Sequence, residues 1–144
     1  MVPVENVKTS IQAVRAVYDA WCAADPARAC EHLDPEVVWE AIEDAPDAGT
    51  YRGHAGVKRY MEDWLGDFED FEFELAQPVE AGDRLVLEQR ARNRGKGSGL
   101  TTEIQYGAVY TFRDGKVLTV NEYGTYAKAL EAVGLSGQAM PESR

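Results

Sequence analysis

Apolar side chains recur at helical spacing through the first part of the chain and at alternate positions through the second. Val7, Ile11, Val14, Val17, Tyr18, Trp21 and Cys22 mark one face of a long amphipathic helix over residues 7–22. Asp25 is a natural N-cap with Pro26 at the first helical position, so a short second helix is predicted over 27–33. Asp34-Pro35 closes it and opens a strand over 36–42. Residues 43–51, with Asp44, Pro46, Asp47 and Gly49, read as a loop. After Gly53, the positions Val57, Tyr60, Met61, Trp64 and Leu65 describe a third helix.

From there the period shortens to two. Phe71, Phe73 and Leu75 alternate with Glu72 and Glu74, the pattern of a half-buried strand. Three more strands are predicted, over 84–93 after Gly82-Asp83, over 102–113 after the glycine-rich 95–99, and over 116–123 after Asp114-Gly115. Asp-Gly between two alternating runs is a hairpin signal, because a two-residue turn of this kind needs positive φ. Thr125 can cap a last helix over 126–133 that stops at Gly134. The plan is α+β, with helices covering one face of a curved sheet. Residues 1–135 are expected to form one domain, followed by a polar tail over 136–144.

Composition narrows the function classes. Of 144 residues, 25 are acidic and 15 are Lys or Arg, a formal charge of −10, and 44% are hydrophobic. A chain this apolar folds, and one this acidic repels phosphate backbones and anionic headgroups, so neither nucleic acid nor membrane is an expected partner. No run approaches the roughly 20 apolar residues of a membrane span, and Met1-Val2-Pro3-Val4-Glu5-Asn6 lacks the regions of a signal peptide, so a cytoplasmic protein is expected. Cys22, Cys30, His32 and His54 show no zinc spacing, and both thiols read as reduced packing residues. Gly95-Lys96-Gly97-Ser98-Gly99 lacks the strand-to-helix setting of a phosphate loop and reads as a hairpin tip.

Val37-Val38-Trp39-Glu40, then Gly49-Thr50-Tyr51-Arg52-Gly53-His54, then Gly82-Asp83-Arg84, and finally Phe112-Arg113-Asp114-Gly115-Lys116-Val117 with Glu122-Tyr123, resemble the SnoaL-like group of the nuclear-transport-factor-2-like (NTF2-like) superfamily. That superfamily also holds ketosteroid isomerase, polyketide cyclases and limonene epoxide hydrolase. The resemblance runs over about residues 7–133 and is specific for fold rather than activity. It implies a cone, a curved mixed β-sheet wrapped around three helices (the NTF2-like or cystatin-like α+β barrel) with a short C-terminal helix. It also implies an apolar pocket at one end, no organic or metal cofactor, and a homodimer through the outer sheet face.

Carried onto this chain, the isomerase's base position falls on Ala41 when counted from Val37-Val38-Trp39, and on Asp44 when counted from Gly53. A methyl cannot accept a proton. A solvated loop carboxylate is the alternative fate of Asp44. The second carboxyl position falls on Ala108. The phenol position falls on Val17 by strict counting from Asp25, one residue from Tyr18, whose hydroxyl is expected to reach the pocket mouth.

Strand alternation supplies a different polar set. Leu118 and Val120 share a face with Glu122, which points that carboxylate into the cone. An apolar pocket disfavours the charged form, so Glu122 is a candidate general acid or base; pairing with an arginine is the structural alternative. The resemblance places the face of Ile104, Tyr106, Ala108, Tyr110 and Phe112 inward, bringing Tyr106 and Tyr110 to the same space. Leu85, Leu87, Gln89 and Ala91 would also face in, which makes Gln89 a second polar pocket candidate, with a buried glutamine satisfied by backbone groups as the alternative; Val86, Glu88, Arg90 and Arg92 are left outside, where the charges could pair across a dimer or face solvent. Trp21, Trp39 and Trp64 should line the cone, with Trp39 the one to touch a ligand. His54 could cap the pocket or act as a base, and His32 reads as a helix C-terminal charge partner.

Two functions follow. One is a small-molecule enzyme that binds a polyketide-, steroid- or terpenoid-like hydrophobic ligand and uses Glu122 with Tyr18, Tyr106 or Tyr110 in isomerase- or cyclase-type proton transfer, or in epoxide opening. The other is a non-catalytic dimeric binding or assembly module, favoured by the alanines at 41 and 108.

Overall fold

The computed structural model describes residues 4–42 and 49–135, with side chains from Lys8 onward. The helices are α1 (Val4–Cys22), α2 (Pro26–Cys30), α3 (Gly53–Asp67) and α4 (Tyr126–Ala132). The strands are β1 (Leu33–Glu40), β2 (Thr50–Arg52), β3 (Phe68–Ala81), β4 (Arg84–Gly95), β5 (Thr101–Arg113) and β6 (Lys116–Tyr123). They form one sheet in the order β2-β1-β6-β5-β4-β3, antiparallel throughout except for the parallel β1–β6 pair. The architecture is the expected α+β curved mixed sheet around helices, but the sheet stays open, with β2 and β3 as edges rather than a closed barrel.

Local signals act where the pattern put them. Asp25 caps α2 by accepting from the Arg28 N–H at 3.1 Å, and Thr125 caps α4 by accepting from the Lys128 N–H at the same distance. Asp114 and Gly115 take φ of 53° and 78°, the paired positive angles of a two-residue hairpin turn. The second helix is shorter than predicted, because Leu33 already pairs with Val117 and turns the backbone extended before Asp34-Pro35. Thr50 and Tyr51, inside the expected loop, join Arg52 in a short strand against β1.

β3 is longer than its alternating stretch and is bent twice. Asp70 and Gln77 adopt φ of 57° and 52°, and the β3–β4 register slips at Glu69/Glu72 and Ala76/Val79. Each slip is a bulge that increases local twist, so β3 curls over the helices. Arg94 pins the first bulge through Glu69 at 3.1 Å and Asp70 at 2.8 Å; the Tyr126 hydroxyl donates to the Gln77 carbonyl at 2.7 Å and pins the second.

The main core lies on the concave face, where Val14, Val17 and Ala20 of α1 meet Leu33, Val37 and Trp39 of β1, Leu87, Ala108, Val117 and Val120 of the sheet, and Val57 and Met61 of α3. A second, smaller core lies on the convex face. Val86, expected outside, is covered there by α4 together with Val109, Ala129 and Leu130. Gly107 permits this approach: a Cβ at that position would meet Ala129 Cβ, the Thr125 carbonyl and Tyr126 Cα, each at 2.8 Å. The rest of the convex face carries charges paired within the chain: Arg90 to Glu74 and Glu103 at 3.1 and 3.2 Å, and Arg92 to Glu72 at 3.7 Å. Cys22 is exposed and Cys30 buried, both as free thiols. Among the described residues no helix is long and apolar enough to cross a membrane.

Candidate active site in the aromatic cavity

A cavity of about 400 Å³ opens between α1, α3 and the concave face of β3–β6. Its wall is largely aromatic: Trp21 from α1, Tyr60 and Trp64 from α3, Phe68, Phe71 and Phe73 from β3, and Tyr106 from β5. Trp21 is the hub, with ring centroids 5.3 Å from Phe73, 5.9 Å from Tyr60 and 6.0 Å from Phe71. Ile42, Ala91 and Ile104 complete the apolar lining, and the polar contributions come from Glu122, Tyr106, Asn93, Thr102 and Glu103.

Glu122 sits opposite Ala108 near the end of β6, two residues past the Trp39–Val120 pair. The Trp39 indole Nε1–H donates to Glu122 Oε2 at 3.0 Å, and the Ile42 backbone N–H donates to Oε1 at 3.2 Å. Both are N–H donors and both need an acceptor, so the arrangement suits the carboxylate and fixes the direction of each oxygen. Glu122 also lines a second, more polar cavity of about 510 Å³ beside Glu40, Thr50, Asn121 and Lys128, so it stands between the two spaces.

Behind the cavity lies a buried chain of hydrogen bonds with one direction. The Tyr110 hydroxyl donates to Gln89 Oε1, and Gln89 Nε2 donates to the Tyr106 oxygen at 2.8 Å. With its proton committed to Gln89, Tyr110 accepts from Tyr18, 3.0 Å away. The order is therefore Tyr18 to Tyr110 to Gln89 to Tyr106, and the Tyr106 hydroxyl in turn neighbours Tyr18, so the four side chains form one buried cluster. Burial, then the negative charge of Glu122, raises the Tyr18 phenol far above its ordinary value. Tyr106 and Tyr110 are likewise raised, first by burial and then by neighbouring phenols and Glu122. All three remain protonated, hence donors, at neutral pH.

These positions sort the residues singled out from sequence. Glu122, Tyr106 and Trp64 line the aromatic cavity. Tyr18, Gln89 and Tyr110 do not; they are core side chains at 3%, 1% and 1% exposure, and the Tyr18 hydroxyl faces Tyr110 rather than the mouth. Trp39 is wholly buried, so it holds Glu122 instead of touching a ligand. His54 is turned away, its Nε2–H donating to the Leu33 carbonyl at 2.8 Å, which removes it as a pocket base. Asp44 lies outside the described residues. Ala41 and Ala108 are buried apolar positions. An arginine does stand between two acids, Arg113 with Asp34 and Glu36, but none of the three lines the aromatic cavity. Among the described residues no cluster of three or more metal-ligating side chains occurs.

Three phenylalanines and Asn93 were missed. Phe71 and Phe73 were visible as an alternating pair without a partner face, and Asn93 continues by one step the inward row Leu85, Leu87, Gln89, Ala91.

Comparison with known proteins places this geometry. The family model for the SnoaL-like domain matches residues 14–120. No curated protein sequence matches the chain. Among solved structures, TerC co-crystallised with polyporic acid is 22% identical with a TM-score of 0.68, over 88% of this chain and 98% of that one. A Catenulispora acidiphila protein of ketosteroid isomerase-like fold, in complex with trimethylamine, is 16% identical with a TM-score of 0.69, over 90% and 97%. An NTF2-like protein of unknown function from Burkholderia pseudomallei is 21% identical with a TM-score of 0.67, over 87% and 97%. Likeness at these identities establishes fold.

Proposed function

The chain belongs to the SnoaL-like family, and on that premise we propose that it is a cofactor-independent proton-transfer enzyme acting on an oxygenated, polyketide- or terpenoid-like carbon skeleton. The observation that carries this reading is the presence, on the wall of a largely apolar cavity, of one carboxylate fixed by two N–H donors and one phenol held by Gln89. Glu122 removes a proton from carbon next to a carbonyl. The Tyr106 O–H donates to that carbonyl oxygen as it takes up negative charge, and the proton held by Glu122 then returns to another carbon of the enolate. Trp39 and Ile42 position the base, and Gln89 positions the donor.

Of the three tyrosines Tyr18, Tyr106 and Tyr110, Tyr106 is favoured because it alone lines the cavity. On the count from Val37-Val38-Trp39, a steroid-isomerase triad of two carboxyls and a helix-1 phenol is not supported, since Ala41 and Ala108 are core methyls and the Tyr18 hydroxyl faces Tyr110. Those same alanines favour, as a second reading, a binding module in which the cavity holds a ligand without turning it over.

The experiment that separates the two is α-proton exchange of 2-tetralone, a bicyclic enolisable ketone, followed by NMR in deuterated water. Exchange catalysed by the wild type and reduced about 10²-fold or more by Glu122→Gln supports the enzyme. Binding without catalysed exchange supports the module.

A further inference from the structure

The aromatic cavity has a second polar station, away from Glu122. Asn93 on β4 is 94% buried, on the same face as Gln89 and Ala91, and its Cα partner across the ladder is Thr102. The Thr102 hydroxyl donates to Asn93 Oδ1 at 2.7 Å. That bond orients the amide and leaves Nδ2 with two N–H donors and, among the described residues, no acceptor. A donor placed there is open to whatever enters the cavity, and a ligand that displaces water from it binds best when it brings an acceptor.

The spacing says what that something must be. Gln89 pairs with Tyr106 and Asn93 with Thr102, so the two polar pairs lie four residues apart on both strands, about 13 Å at the rise of an extended chain. Between them the strand wall is Ala91 opposite Ile104, and the small alanine leaves a flat surface. Less the reach of the two side chains, that gap is bridged by two fused rings.

We propose that Asn93 is a specificity-determining residue: its amide donates to a carbonyl oxygen at the far end of a bicyclic or larger skeleton whose enol or hydroxyl end meets Glu122 and Tyr106. The proposal rests on the reading of Glu122 and Tyr106 given above and adds a requirement for acceptor oxygens at both ends of the ligand. A hydroxyl at the inner end satisfies both catalytic groups, donating to the carboxylate and accepting from the phenol. The outer end needs an acceptor, because Asn93 Oδ1 is held by Thr102 and its unbonded groups are the two Nδ2 donors.

The test uses a matched pair of probes, 6-acetyl-2-naphthol and 6-isopropenyl-2-naphthol, which have the same shape but exchange the carbonyl oxygen for a methylene. Titration calorimetry on the full chain is expected to show the acetyl compound binding about 5- to 10-fold more tightly, the size of one net hydrogen bond. Asn93→Leu should bring the two affinities together. Asn93→Asp, which keeps the size of the side chain and the Thr102 bond but replaces the donors with an acceptor, should also abolish the preference and guards against a folding defect in the leucine variant. Equal binding by the wild type, or a preference that survives both substitutions, overturns this inference alone. Failure of both naphthols to bind overturns it together with the proposed function.

Discussion

Replacing Gln89 with leucine tests the directional chain that ends at Tyr106. Gln89 is 1% exposed and makes two hydrogen bonds, accepting from Tyr110 and donating to Tyr106. Leucine has a similar volume, so little cavity is created; the cost is polar. The Tyr110 O–H loses its acceptor inside a dry core, about 1–3 kcal/mol, and the bond to Tyr106 adds roughly 0.5–1.5 kcal/mol of net stabilisation lost. The expected destabilisation is about 2–4 kcal/mol, or about 6–12 °C in Tm for a chain of this size. Urea unfolding followed by circular dichroism measures it. Tyr110→Phe alone should also destabilise, because Gln89 Oε1 loses its donor and Tyr18 its acceptor. The double variant should recover about 1–2 kcal/mol relative to the sum, since neither side of the Gln89–Tyr110 pair is then left waiting for the other. In the same proteins 2-tetralone exchange should fall with Gln89→Leu while affinity for the ketone stays within about threefold, because the phenol has lost its anchor and not its contact surface. A neutral Gln89→Leu, or strict additivity in the cycle, would refute the buried hydrogen bonds assigned to Gln89.

Other consequences are as specific. Gly107→Ala should destabilise by about 1–3 kcal/mol, because its Cβ would meet α4 at 2.8 Å from three atoms, two of them backbone; unchanged stability in the same urea assay would mean that α4 is not seated there. Arg113 forks onto Asp34 at 2.7 and 2.9 Å, and with the Glu36 N–H this holds the Asp34 carboxyl below its ordinary value. A lowered folded pKa means the stabilisation is complete above the unfolded value, near 3.9, and is lost as pH falls through the lowered one. The stability gap between wild type and Arg113→Met should therefore be level from about pH 5 to 8 and close below about pH 4; a gap that persists in acid contradicts the assignment. Trp39→Phe should lower the rate of 2-tetralone exchange about tenfold with little change in KM, since the indole orients Glu122 from outside the cavity; a change confined to KM would argue that Trp39 meets the ligand.

Much of this site was legible from periodicity. Glu122 follows Leu118 and Val120 on one strand face, and alternation put Tyr106 on a face with Ala108 and Tyr110 that the family resemblance turned inward. The Asp114-Gly115 turn and the Asp25 and Thr125 caps were equally readable, because their chemistry is local. What alternation does not encode is which inward residue meets empty space and which meets another side chain. Trp39 and Tyr106 both point in, yet one is sealed behind Glu122 and the other reaches the cavity. That difference depends on the curl of β3, whose bulges at Asp70 and Gln77 carry no glycine to announce a positive φ. Val86 was misread for a related reason: an outward strand position is exposed only if nothing is laid over it, and the close seat of α4 on Gly107 is a tertiary fact.

The central claim, that one carboxylate and one phenol converge on a single ligand atom, is tested most directly by a crystal structure of the protein with 2-naphthol. The account predicts the naphthol oxygen about 3 Å from both the Glu122 carboxylate and the Tyr106 hydroxyl, with its rings against Phe71, Phe73 and Trp21. A naphthol oriented with its oxygen toward solvent, or bound in the cavity without contact to either group, would contradict it.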